Sequence, residues 1–283
     1  MSLARVFFGT GAVAALVASG VLLILGDVRG AAAAIVVAAS ALTFLSTART
    51  RFRWPRGSWL GFGLLGSGLV ILGFPPATVV IGLAGLFVLQ LVATAVVVHR
   101  VGRITFERLD HAAIMPGAEA LAQQFVVEGF RVAGGYGCRI GGKRVLLTVM
   151  IGPQRDRLAV VTDKVWYVVS RFGQRTLVTG SSGAAPVPPG VLRQQIADGS
   201  PAELLHAHNA ALTIVSGRMI RPDVFDTDEH ALDAVLEHEE RAVAFMGRAP
   251  VANALRMETG RPTRAMLSGD PDDQKRVDEW LKA

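Results

Sequence analysis

Residues 6–26, VFFGTGAVAALVASGVLLILG, run for six helical turns without a charge. Three more runs of the same kind follow, at 31–47, 57–74 and 77–98. A helix rises about 1.5 Å per residue, so about 20 apolar residues cross a hydrocarbon core about 30 Å thick. The first and fourth runs reach that length. The second and third fall near its lower limit, yet each is uncharged throughout. The stretch therefore reads as a four-helix transmembrane region, residues 1–98, built from two helical hairpins. One hairpin turns at Gly26–Gly30. The other turns at Gly73–Pro76, where Pro75 and Pro76 cannot continue a helix.

Charge gives that region a direction. Residues 1–98 contain one acid, Asp27, and six arginines. Four of the arginines, Arg49, Arg51, Arg53 and Arg56, lie between the second and third runs, and Arg100 and Arg103 follow the fourth. The positive-inside rule then places both termini and the middle loop in the cytoplasm. Trp54 and Trp59 stand where an aromatic belt would lie. These eight residues, Arg49, Arg51, Arg53, Trp54, Arg56, Trp59, Arg100 and Arg103, form the expected contact with anionic lipid at the bilayer surface. Arginine outnumbers lysine 25 to 4, a bias of GC-rich bacterial genomes, so the expected location is a bacterial inner membrane. The run at the N-terminus is too long for a cleaved signal peptide and three others follow it.

The spans hold no ionisable group, and Gln90 is their one strongly polar side chain. A transport path needs several converging polar groups. A small transporter or channel subunit is thus the third functional reading. Gly11, Ala15 and Ser19, then Gly63 and Ser67, are small residues at four-residue spacing that let helices pack closely, and they admit a homo-oligomer.

From His99 the composition changes to mixed polar and apolar sequence. Residues 99–115 read as a juxtamembrane linker and 116–283 as a cytoplasmic α+β domain. A helix is expected from Pro116 to Glu128. Then Phe130–Ile140, Arg144–Ile151, Arg157–Thr162, Lys164–Phe172 and Arg175–Val178 read as an antiparallel β-meander of four or five strands. Gly141-Gly142 is a two-residue hairpin signal. Gly180–Gly190 reads as a loop. Ser200-Pro201, with Glu203 in the first turn, opens a helix to about Val215. A second helix runs from Asp226 or Thr227 to about Met246 on a stripe of Leu232, Val235, Leu236, Val243 and Met246. A short last helix follows Asp270-Pro271. The order of elements places the helices over one sheet face.

No motif in this domain carries chemistry. Gly137–Lys143 matches the spacing of a phosphate-binding loop, but Arg144 replaces the hydroxyl residue and a strand replaces the helix, so it reads as a hairpin. Glu203 and His206 have the spacing of one half of a di-iron pair, and no second half exists. His206 with His208, and His230 with His238, lack metal-ligand spacing. No catalytic residue, cofactor or metal site is assigned. The single Cys138 excludes an internal disulfide. Asp226, Asp228, Glu229, Asp233, Glu237, Glu239 and Glu240 read as the solvated face of a helix.

The charge pattern is uneven. Residues 131–221 carry twelve bases and four acids, and residues 222–240 carry eight acids and no base. The simplest reading sets the acidic helix beside the basic sheet, with lipid or solvent as alternatives for the basic surface. Trp166 and Tyr167 are neighbours, so only one faces a given side, which argues against a base-stacking nucleic-acid surface. The functional expectation is a membrane-anchored cytoplasmic interaction or sensing module, with the bilayer and a protein as partners. The alternative is a membrane-surface enzyme whose site lies where Arg, His and Glu converge between the sheet and the acidic helix.

Overall fold

The computed structural model describes residues 3–49, 54–109, 114, 118–140, 143–162, 165–181, 186–196, 199–259, 265–266 and 269–282. The chain forms two compact units, Met1–Ala95 with Ala254–Arg261, and Val96–Asn253 with Pro262–Ala283.

The first unit contains helices α1 (Leu3–Ile24), α2 (Val28–Arg49), α3 (Trp54–Ile71) and most of α4 (Pro76–Val101). Asp27 caps α2 by accepting from the Gly30 amide at 2.9 Å. Arg29 donates through Nε to the Ile71 carbonyl and so ties the ends of α2 and α3. Both hairpin turns fall where the glycines and prolines place them. The expected four membrane spans, however, are not supported. Among the described residues only Pro76–Val101, of 26 residues, is long and apolar enough to cross a membrane. The expectation of a multi-pass inner-membrane protein with cytoplasmic termini is corrected accordingly. One such helix is weak ground for any membrane assignment, because the core helix of a soluble protein has the same length and composition.

The second unit is built on a seven-stranded sheet. Its strands are β1 (Phe106–Leu109), β2 (Arg131–Ile140), β3 (Lys143–Ile151), β4 (Leu158–Val161), β5 (Trp166–Phe172), β6 (Arg175–Gly180) and β7 (Val191–Gln195). They lie side by side in chain order. All neighbours are antiparallel except β6 and β7, which are parallel. Its helices are α5 (Glu119–Val127), α6 (Pro201–Ser216), α7 (Asp228–Arg248) and α9 (Pro271–Lys282), while α8 (Pro250–Thr259) is divided between the two units.

Helices cover both faces of the sheet, which corrects the one-face expectation. Alternate residues of a strand point to opposite sides. Val149, Ile151, Leu158, Val160 and Val169 pack with Leu232 and Val235 of α7. Their neighbours Met150, Ala159, Val161 and Val168 pack with Phe125 of α5 and Leu205 of α6. A third cluster joins Phe172, Leu177 and Leu192 to Leu212 of α6 and to Val277 and Trp280 of α9. Burial on both faces explains why β3 and β4 read as continuous apolar runs rather than alternating ones.

Two strands lie outside the expected meander. β1 falls in the stretch expected to be a linker, and β7 is the polar sequence Val-Leu-Arg-Gln-Gln. The sheet is thus mixed and larger than expected. The turn after α4 and the end of α7 meet backbone to backbone. A Cβ on Gly102 would lie 2.3 Å from the Gly247 Cα, so neither position admits a side chain without movement.

Candidate functional site

The site lies between the sheet and α7. Thr227 caps α7 by accepting from the His230 amide at 3.1 Å, and Asp228 and Glu229 occupy its first turn, where acids favour the helix dipole. At the other end Asn253 donates to the Phe245 and Met246 carbonyls at 2.9 and 3.2 Å. Ala231, Leu232, Ala234 and Val235 supply its buried apolar face. Gly134 on β2 makes room for Leu232, whose Cδ1 would lie 2.8 Å from an added Cβ.

A rim of ion pairs surrounds that face. Arg131 on β2 grips Asp228 with both terminal nitrogens, at 2.8 and 2.5 Å. Arg108 on β1 reaches Glu229 at 3.2 Å and Asp233 at 3.7 Å. Arg171 on β5 reaches Glu237 at 2.9 Å, and Arg241 meets the same carboxylate at 2.9 Å. The hydrogen bond between Arg131 and Asp228 raises the guanidinium and lowers the carboxyl from their ordinary ranges. The basic strands therefore face the acidic helix at Arg108, Arg131 and Arg171.

Inside the rim lies a polar cluster. Tyr167 on β5 donates its hydroxyl to Glu239 on α7. Burial raises the Glu239 carboxyl, against the opposing pull of Tyr167 and of Arg193 on β7. Burial likewise lowers Arg193 and lifts the Tyr136 and Tyr167 phenols well above their ordinary range. His238, next in chain to Glu239, is pushed down to about 4 by burial and by the Arg193 and Arg241 charges. The Tyr136 phenol lies against that of Tyr167, and His238 Nδ1 is buried without a hydrogen-bond partner. Cys138 lies in the same core, and burial raises its thiol. At neutral pH the cluster holds two protonated phenols and a neutral imidazole beside Glu239, whose carboxyl burial raises, and the Arg193 guanidinium. Arg, His and Glu thus converge between sheet and helix.

The opposite face carries a second polar network. His208 on α6 lies between Ser170 Oγ, 3.0 Å from Nε2, and Thr179 Oγ1, 2.8 Å from Nδ1. Ser170 donates to the Asp156 carbonyl at 2.9 Å, so it accepts from the histidine and Nε2 carries the proton. Thr179 accepts from Gln194 Nε2 at 2.6 Å and donates to Nδ1. Gln194 also donates to the Ala207 carbonyl and accepts from the Met266 amide. Burial holds His208 down to about 3. Fully buried and with its bonds complete, this serine–histidine pair joins β5, β6 and β7 to α6 and has neither the access nor the basicity of a catalytic dyad.

The residues expected at a lipid surface fall on or beside α2, α3 and α4. Arg49 ends α2, and Trp54, Arg56 and Trp59 lie in the first turns of α3. Arg51 and Arg53 fall outside the described residues. Arg100 and Arg103 are exposed at the end of α4, where the Arg103 amide donates to the Arg100 carbonyl at 3.2 Å. The phosphate-loop match lies in the β2–β3 hairpin, whose register pairs Ile140 with Lys143. Glu203 belongs to a capping box with Ser200, which holds its carboxyl low.

Sequence reading missed Tyr136, Tyr167 and Arg193, and placed Glu239 in solvent. One signal was present. Positions 232, 235, 236, 239, 243 and 246 follow one helical stripe, and the acid at 239 interrupts it.

No family model, no curated protein and no solved structure matches the chain.

Proposed function

We infer that the sheet unit is an interaction or sensing module whose responsive element is α7. The observation that supports this reading is the Tyr167–Glu239–Arg193 cluster beneath the helix, set within the rim of ion pairs. Half-buried charge is a poor source of stability, because desolvation offsets much of the Coulomb attraction. Its attested use is to fix register or to switch. A helix held by charge responds to a proton, to salt, or to a charged segment of a partner that competes for the same pairs.

The test is amide exchange along α7 at low and high salt. Screening the rim speeds exchange of Asp228–Arg248 by about tenfold while β3 and β4 stay protected. Equal protection of α7 and the central strands at both salts rejects the reading.

A second reading, an enzyme, draws on the same residues. A carboxyl raised by burial beside a neutral imidazole suits acid–base chemistry. Turnover abolished by Glu239→Gln, with α7 exchange unchanged, favours this reading over the first.

A further inference from the structure

The face opposite α7 carries a cleft of about 450 Å³, within the size range of small-molecule sites. The turn after β3 forms one wall with Gln154, Asp156 and Arg157. Asn209, Leu212 and Thr213 of α6 form the other.

Hydrogen-bond logic fixes what the cleft presents. Arg157 donates through Nε and Nη2 to the two Asp156 oxygens at 2.7 and 3.0 Å. It also donates to Gln154 Oε1 at 2.6 Å and to Asn209 Oδ1. Arginine has only donors, so both amides turn their oxygens to it. Their NH₂ groups are therefore directed away from the guanidinium. Thr213 donates to the Asn209 carbonyl at 3.0 Å, which leaves its oxygen as an acceptor. The walls thus offer planar amide donors beside hydroxyl and carboxylate acceptors, with Leu212 and Pro222 as apolar surface. Asp156 and Arg157, both with side chains largely buried, cancel in charge.

Two backbone strains border the same cleft. Among the described residues the non-glycine residues at positive φ are Arg155, at 57°, and Met219, at 60°. Arg155 stands between Gln154 and Asp156, and Met219 between Ser216 and Pro222, all four of which line the cleft. Such a conformation is strained and persists where the surroundings impose it, commonly at ligand clamps. At Arg155 they do: its amide donates to the Gly152 carbonyl at 2.9 Å and its carbonyl accepts from the Phe225 amide at 2.8 Å. Arg155 Nε also donates to the Phe225 carbonyl at 2.6 Å. Met219, 97% exposed, stands on the loop at the cleft's edge.

We propose that this cleft binds a neutral, hydroxyl-rich small molecule of the sugar or polyol class. Vicinal hydroxyls both donate and accept, and they match amide and carboxylate groups whose orientations are already fixed by Arg157. The balanced Asp156–Arg157 pair leaves no net charge to recruit an anion or a cation. The site is independent of α7 and does not rest on the reading given above.

The test is ligand-observed NMR on the full chain with glucose, mannose, ribose and myo-inositol, and with acetate and inorganic phosphate as charged comparators. At least one neutral probe binds, and neither anion does. Asn209→Asp keeps an oxygen for Arg157 but removes the outward donor, and Gln154→Ala changes an exposed residue that carries no core packing. Each weakens binding about tenfold, the loss of about one hydrogen bond, with the thermal midpoint of Gln154→Ala unchanged. Overturning results are the absence of binding by every neutral probe, preferential binding of acetate or phosphate, or neutral-probe affinity unmoved by Gln154→Ala.

Discussion

Glu239 stands on α7 at a position where the stripe of Leu232, Val235, Leu236, Val243 and Met246 calls for an apolar side chain. Its partners come from two strands, Tyr167 on β5 and Arg193 on β7. Removing the carboxylate leaves a phenol and a guanidinium to find new partners, so Glu239→Ala costs about 2–3 kcal/mol in urea unfolding. Arg131→Ala, at a half-exposed pair, costs less than about 1 kcal/mol in the same measurement. The two histidines make a separate prediction. Folding lowers His208 to about 3 and His238 to about 4, so below pH 6.5 the unfolded chain takes up protons that the folded chain refuses. Their contribution to stability is complete above about pH 6.5 and declines as pH falls, at about 1.4 kcal/mol per unit for each. The His238 part ends near pH 4 and the His208 part near pH 3. Glu239 acts with the opposite sign, since its raised carboxyl loses stability as pH rises through the folded value. Urea unfolding from pH 7 to pH 3 checks the slope, and His208→Gln removes about one proton of it. None of these burials was legible in the sequence beyond the interrupted stripe, because Tyr136, Tyr167 and Arg193 meet Glu239 only through strand order.

At the scale of elements, legibility followed local chemistry. Ser200, Pro201 and Glu203 announced α6, and the capping box formed as the residues prescribe. Thr227 and the acids after it announced α7, while Gly141-Gly142 lie outside the described residues, between β2 and β3, whose register pairs Ile140 with Lys143. β7 was not legible, because Arg193 and Gln194 are polar residues whose partners lie on other elements. β1 was hidden among the arginines of the stretch expected to be a linker. α7 also carries an element-level prediction. Its end rests on the Gly102 backbone, so Gly247→Ala forces the two segments apart and costs about 1–3 kcal/mol, with faster amide exchange concentrated in the last turns of α7.

At the scale of the whole molecule, composition carried the reading of the first unit too far. The apolar runs and their hairpin turns are helices joined as expected, yet only α4 has the length and composition of a span among the described residues. In the second unit the continuous apolar runs of β3 and β4 reflect a sheet covered on both sides, since a sheet with one solvated face would alternate, so that signal was present in the sequence.

The claim that charge holds α7 on the sheet has a direct probe in the chain itself. Cys138 is the single cysteine, 5% exposed, and it packs in the core that α7 closes. Its labelling by a maleimide therefore reports how often the helix lifts. The account predicts that labelling of the native protein accelerates about tenfold from low to high salt, and by a further factor of about ten or more in Glu239→Ala, at concentrations of urea where the central strands remain protected. A labelling rate that ignores both salt and Glu239→Ala, and rises only with global unfolding, would contradict it.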